Sequence, residues 1–89
     1  MTQDEIVQDL AAFVRRKLPG FEVSGTTDVQ KDVPFDSLDR MELLTMVEQR
    51  YGVAVTPEQY LDERLQILAH LAAFIATQSS PKRLRSVER

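Results

Sequence analysis

Pro34-Phe35-Asp36-Ser37-Leu38-Asp39-Arg40-Met41-Glu42-Leu43 is the stretch on which the reading of this chain turns. Asp36 is a residue type that accepts backbone N–H bonds at a helix start, and Asp39 adds negative charge where the helix dipole favours it. A helical pattern follows from Ser37 or Leu38 to about Tyr51, and Gly52 supplies the residue past its end. Ser37 therefore falls at a helix N-terminus beside a carboxylate. A nucleophilic serine needs a base within hydrogen-bond reach, and no obvious one is present here. Such a serine suits receipt of a group from another enzyme better than attack on a substrate.

This helix carries more than a core stripe. At 100° per residue, Leu43, Arg40, Val47, Tyr51 and Leu44 cluster on one side, with Arg40 close enough to the helix start to reach solvent. On the other side lie Leu38, Met41 and Thr45, flanked by Glu42, Glu48 and Gln49. Single exposed apolar residues are ordinary. Leu38 and Met41 inside a ring of carboxylates fit better as a docking strip, with apolar anchors and charges that steer basic partners.

Upstream, Thr2 and Glu5 form a capping-box pattern. Ile6, Val7, Leu10, Phe13, Val14 and Leu18 then share a helix face, and Pro19-Gly20 ends it. Phe21 to Phe35 keeps no period and reads as a long loop, with Phe21, Val23, Val29 and Val33 expected to pin it to the core. Downstream, Val53-Ala54-Val55 is an extended crossover. Thr56-Pro57-Glu58-Gln59 starts a short helix ending at Leu61 or Asp62. A last helix is expected from about Arg64, with Ile67, Leu68, Leu71, Phe74 and Ile75 on one stripe, fading by Gln78. The expected fold is all-α: a small four-helix bundle of three main helices, a short third helix and a long first loop. A domain over residues 1–79 is followed by a basic tail over 80–89 that is expected to be disordered.

Eighty-nine residues without cysteine form one small domain, with no disulfide, thiolate metal site or thiol nucleophile. The first 80 residues hold seven Lys/Arg against thirteen Asp/Glu, a net −6. The remaining nine hold four against one, a net +3. The acidic body repels nucleic-acid phosphates and attracts basic protein surfaces. No apolar run approaches the roughly 20 residues of a membrane span. The acidic start lacks the pattern of a signal peptide. A discrete, cytoplasmic monomer is expected, with no nucleic-acid or membrane partner.

Asp36-Ser37-Leu38, the acidic and apolar run behind it, Tyr51-Gly52-Val53-Ala54-Val55 and the last helix resemble the acyl carrier proteins, over residues 3 to 78. The family typically shows Gly-x-Asp-Ser-Leu at the start of its second helix. The resemblance implies that Ser37 is the serine modified with 4′-phosphopantetheine, from coenzyme A, with Asp36 beside it. It places Asp36, Asp39, Glu42 and Glu48 as recognition carboxylates, and Leu38, Met41 and Thr45 on the partner-contact strip. A phosphopantetheinyl transferase and acyl-loading and acyl-processing enzymes with basic docking surfaces are the implied partners. Pro34 stands where the family has glycine, which stiffens the loop before Ser37 and bears on which transferase acts. Thr45 replaces a larger apolar residue, and Leu61-Asp62-Glu63-Arg64-Leu65 looks more like carriers of specialised pathways.

The resemblance also implies that an acyl chain enters between the second and third helices near Leu44, Val47, Tyr60 and Leu61. The bulk of Tyr60 and Leu61 predicts short or polar cargo left largely exposed. Against catalysis stands the single histidine, His70, without the other members of a triad. Against a metal site stands the spacing of Asp36, Asp39 and Glu42, because one helix face cannot wrap a hard cation. The leading reading is a carrier, not an enzyme, holding an acyl group as a thioester for fatty acid, polyketide or other specialised biosynthesis. The alternatives are a carrier-like helical scaffold that binds partners without the arm, and a helical adaptor unrelated to carriers.

Overall fold

The computed structural model describes residues 2–78, so the expected basic tail over 80–89 lies outside the described residues. It contains three α-helices, α1 (Gln3–Lys17), α2 (Ser37–Tyr51) and α3 (Leu68–Gln78), with two 3₁₀ turns, Gln59–Leu61 and Glu63–Gln66, between the last two. Among the described residues there is no strand, only an isolated antiparallel bridge between Asp28 and Ile67. None of the described helices is long and apolar enough to cross a membrane.

α1 begins in the expected capping box. The Glu5 N–H donates to Thr2 Oγ1 at 3.2 Å, and the Thr2 N–H donates to Glu5 Oε1 at 2.9 Å. Its buried residues are Ile6, Leu10, Ala11 and Val14, while Val7, Phe13 and Leu18 pack at the edge of the core. Ala11 was not on the predicted stripe. Its burial fits the close packing of α1 on α3, the most extensive contact between helices. α2 contributes Leu43, Leu44 and Val47 to the same core.

Gly52 closes α2 at φ 71°, in the left-handed region. A Cβ built there meets nothing within 4 Å, so substitution introduces backbone strain without a clash. Gly52→Ala is therefore expected to cost about 1 kcal/mol in urea unfolding. Gly20→Ala, also in open space but without a positive φ, should be neutral or slightly stabilising.

The second half of the chain departs from expectation in two places. Thr56 and Gln59 do form a reciprocal cap, with Gln59 N–H to Thr56 Oγ1 at 3.0 Å and Thr56 N–H to Gln59 Oε1 at 2.9 Å. The chain then completes only a 3₁₀ turn, not the short α-helix of a four-helix bundle. Asp62 turns extended at ψ 121° and caps the next turn by accepting from the Arg64 N–H at 3.0 Å.

The last α-helix starts at Leu68, not near Arg64, because its first N–H groups are satisfied from far away in sequence. Leu68 donates to the Thr27 carbonyl at 3.1 Å and Ala69 to the Gly25 carbonyl at 2.7 Å. The long loop is thus the N-terminal cap of α3. It is held by buried Thr27, Val29 and Val33, and Gly25 passes so close to α1 that a Cβ would sit 3.2 Å from Val7. Phe21 corrects the prediction for this loop: it remains 45% exposed and does not pin the loop to the core.

Candidate functional site

α2 is positioned by its own first residues. Asp36 Oδ1 accepts the Asp39 N–H at 2.8 Å, and Asp39 Oδ2 accepts the Asp36 N–H at 3.3 Å, completing a capping box of two carboxylates. Ser37 is the first helical residue and is exposed. Its hydroxyl enters no hydrogen bond among the described residues. The helix start therefore does not depend on the serine side chain.

The segment before Ser37 is clamped. Phe35 is buried, and Arg40 Nη1 donates to its carbonyl at 3.0 Å. The sequence reading sent Arg40 to solvent. Instead it bridges back five residues and fixes the approach to Ser37, a contact made to backbone and therefore without a sequence signature.

Beside Ser37, a pocket of about 170 Å³ opens between α2 and the 3₁₀ turns, with Arg40, Met41 and Leu44 on one side and Tyr60, Leu61 and Gln66 on the other. Leu61 stands 79% exposed at this pocket, while Tyr60 is buried. Val47, expected near such an opening, lies wholly in the core and does not line it. Burial pushes the Tyr60 phenol above its ordinary value, partly offset by the positive Arg40. The phenol therefore stays neutral at physiological pH. His70 faces a different groove, with Glu58 and Phe74, and is not among the residues lining the pocket at Ser37.

The outer face of α2 matches the predicted strip in exposure. Leu38 is 65% and Met41 48% exposed. Thr45 is exposed and turns its hydroxyl back to the Met41 carbonyl at 3.0 Å. The carboxylates are not equivalent. Asp36 and Asp39 are engaged in the capping box, and Glu42 is ion-paired with Lys17 at the end of α1. Glu48 has no ion pair among the described residues. Hydrogen bonding to Glu42 is the main reason the Lys17 ammonium holds its proton more tightly than usual, with Asp39 and Asp36 adding to the field.

A family model described as the phosphopantetheine attachment site matches residues 5–75, most of the chain. The chain belongs to the acyl carrier protein family. Acyl carrier proteins are carriers, not enzymes, and this domain is the site of covalent 4′-phosphopantetheine attachment. They generally interact with phosphopantetheinyl transferases and biosynthetic enzymes. The chain is 37% identical over 75 residues to an acyl carrier protein of Streptomyces coelicolor, covering 82% of this chain and 80% of that protein. It is 28% identical over 82 residues to acyl carrier protein 3, mitochondrial, of Arabidopsis thaliana, covering 90% of this chain and 61% of the plant protein. No solved structure matches it significantly.

Proposed function

We propose that Ser37 carries the phosphopantetheine arm and that the chain presents a short acyl group to partner enzymes in fatty acid, polyketide or other specialised biosynthesis. The observation that carries this reading is an exposed serine hydroxyl at the first residue of α2, free of any structural hydrogen bond among the described residues, beside a pocket. During attachment, Ser37 Oγ attacks the β-phosphorus of coenzyme A. A new P–O bond forms, the diphosphate P–O bond breaks, and adenosine 3′,5′-bisphosphate leaves. The proton of Ser37 passes to a base on the transferase, because no base of this chain contacts the hydroxyl. The N-terminus of α2 and Arg40 favour the resulting phosphodiester. The bound group supplies the thiol that a cysteine-free chain lacks, and with it a thioester link to the cargo.

The chain's other contribution is a surface that partners grip. Leu38 and Met41 supply apolar area, while Asp36, Asp39, Glu42 and Glu48 supply a negative field. Charge reversal at Glu48 or Glu42 is expected to slow association with a loading enzyme several-fold at low salt, and the difference should shrink as salt rises. Leu38→Ala and Met41→Ala should weaken binding with little salt dependence. Lys17→Ala should act in the opposite direction to Glu42→Lys, since it releases the Glu42 carboxylate to partners. Stopped-flow association rates across a salt series check all three, and parallel salt profiles for the charged and apolar variants would contradict this division of labour.

The carrier reading itself is tested by incubating the arm-bearing protein with an acid, ATP and an acyl-activating enzyme. The expected product is an acyl adduct on the protein that hydroxylamine removes. A protein that takes the arm yet never gains a hydroxylamine-labile acyl group argues against it.

A further inference from the structure

We infer that Arg40 is a positioning residue for attachment of the arm: it holds the two peptide groups before Ser37 in one orientation, so that the serine meets the transferase already aimed. The inference rests on Ser37 carrying the arm. The Arg40 N–H donates to the Asp36 carbonyl at 3.0 Å, and Arg40 Nη1 donates to the Phe35 carbonyl at 3.0 Å. The peptide group between Phe35 and Asp36 is held at its other end too, because the Asp36 N–H donates to Asp39 Oδ2 at 3.3 Å. Further back, the Phe35 N–H donates to the Val33 carbonyl at 2.9 Å. Val33 and Phe35 are buried, and the proline ring fixes φ at Pro34 between them. The chain thus reaches Ser37 with little freedom left, while Ser37 itself is exposed.

Helix stability does not explain Arg40. A helix start leaves N–H groups unsatisfied, not carbonyls, and a cation there opposes the helix dipole. Arg40 is the fourth residue of α2, and its guanidinium reaches back past the helix start. Asp36, four residues earlier, offers an ion pair, yet the described residues show none between them. The Asp36 carboxylate accepts the Asp39 N–H instead, and the charged donor of Arg40 goes to a backbone carbonyl, a stronger bond than a neutral donor makes. A local preference is broken one helical turn from the modifiable serine, and such breaks concentrate at functional sites.

Attack of Ser37 Oγ on the β-phosphorus requires the oxygen in one place. Orientation fixed before the encounter removes that entropy cost from the chemical step. This effect passes through the backbone and is separate from any field that the guanidinium exerts on phosphate. A charge acting on coenzyme A shows in the dependence on coenzyme A concentration and fades with salt. A clamp shows in the rate of the chemical step and is indifferent to salt.

The test is single-turnover arm transfer from coenzyme A to the full chain, with transferase in excess, followed by intact mass for the wild type, Arg40→Met and Arg40→Lys. Arg40→Met keeps the apolar stem and removes the donor. Its rate at saturating transferase should fall roughly tenfold, at low and high salt alike. The transferase concentration giving half that rate should stay the same or fall, because a positive charge has left an acidic surface. The ¹³C resonance of the Phe35 carbonyl reports the clamp directly and should move in Arg40→Met. Arg40→Lys keeps a donor, and its rate should recover to the extent that this resonance returns. Lower folding stability alone would raise the half-saturating concentration and leave the saturated rate unchanged, so that pattern overturns the inference. So does a wild-type rate in Arg40→Met, a loss that disappears at high salt or on raising coenzyme A, or a slowed Arg40→Met whose Phe35 carbonyl has not moved. A wild type that takes no arm defeats the functional reading itself. A wild type that takes the arm no faster than Arg40→Met defeats only the role of Arg40.

Discussion

Ser37→Ala is expected to abolish attachment of the arm completely and to leave the fold untouched. Asp36 and Asp39 complete the capping box without the serine, whose hydroxyl makes no hydrogen bond among the described residues. Stability should therefore change by no more than about 0.5 kcal/mol. After incubation with coenzyme A and a broad-range transferase, intact mass should show one phosphopantetheine on the wild type and none on the variant, with superimposable circular dichroism. Asp36→Ala is the useful contrast. It removes the cap, costs about 1 kcal/mol, and should retain the modifiable hydroxyl. A Ser37→Ala protein that unfolds, or that still gains the arm, contradicts the assignment.

Leu43→Ala is expected to have the largest effect on stability. Leu43 is fully buried on α2, six residues past Ser37, where it anchors the helix against the shared core. Truncating a fully buried leucine costs about 2–5 kcal/mol. A domain of this size holds only about 5–10 kcal/mol in total. The melting temperature should fall by roughly 10 °C or more, and arm attachment should decline with the folded fraction. Met41→Ala, two residues earlier and half exposed, should change the melting temperature little. Similar losses at the two positions would show that α2 does not sit on the core as described.

The difference between those two leucine-face and solvent-face positions was legible in the sequence, as were most features that depend on local chemistry. Thr2 with Glu5, Asp36, Gly52 and Thr56 with Gln59 are all local signals, and each makes the contact or conformation its residue type favours. Leu43, Leu44 and Val47 follow a helical period because one face of α2 must be buried. The failures share a different cause. Among the described residues no side chain caps the start of α3, and its first N–H groups are taken by carbonyls at Gly25 and Thr27, some forty residues away. Nothing near Arg64 or Leu68 announces that boundary.

Gln66 and Arg40 both donate to backbone carbonyls, of Tyr60 and Phe35. Every residue has such a carbonyl, so no pairing pattern exposes these contacts. The pairing of Lys17 with Glu42 joins separate helices and depends on how they pack. At the site, the exposure of Ser37, Leu38, Met41 and Thr45 agrees with the reading from sequence. The presence of Gln66 at the pocket came only with the structure.

The central claim is that the arm is attached at Ser37. The most direct measurement is tandem mass spectrometry of peptides from the wild-type protein after incubation with coenzyme A and a broad-range phosphopantetheinyl transferase. The account predicts a single modified peptide, containing Ser37, that loses the pantetheine moiety on fragmentation and leaves its phosphate mark on that residue. A modification mapped to any other hydroxyl, or a protein that stays unmodified with several transferases, would contradict it.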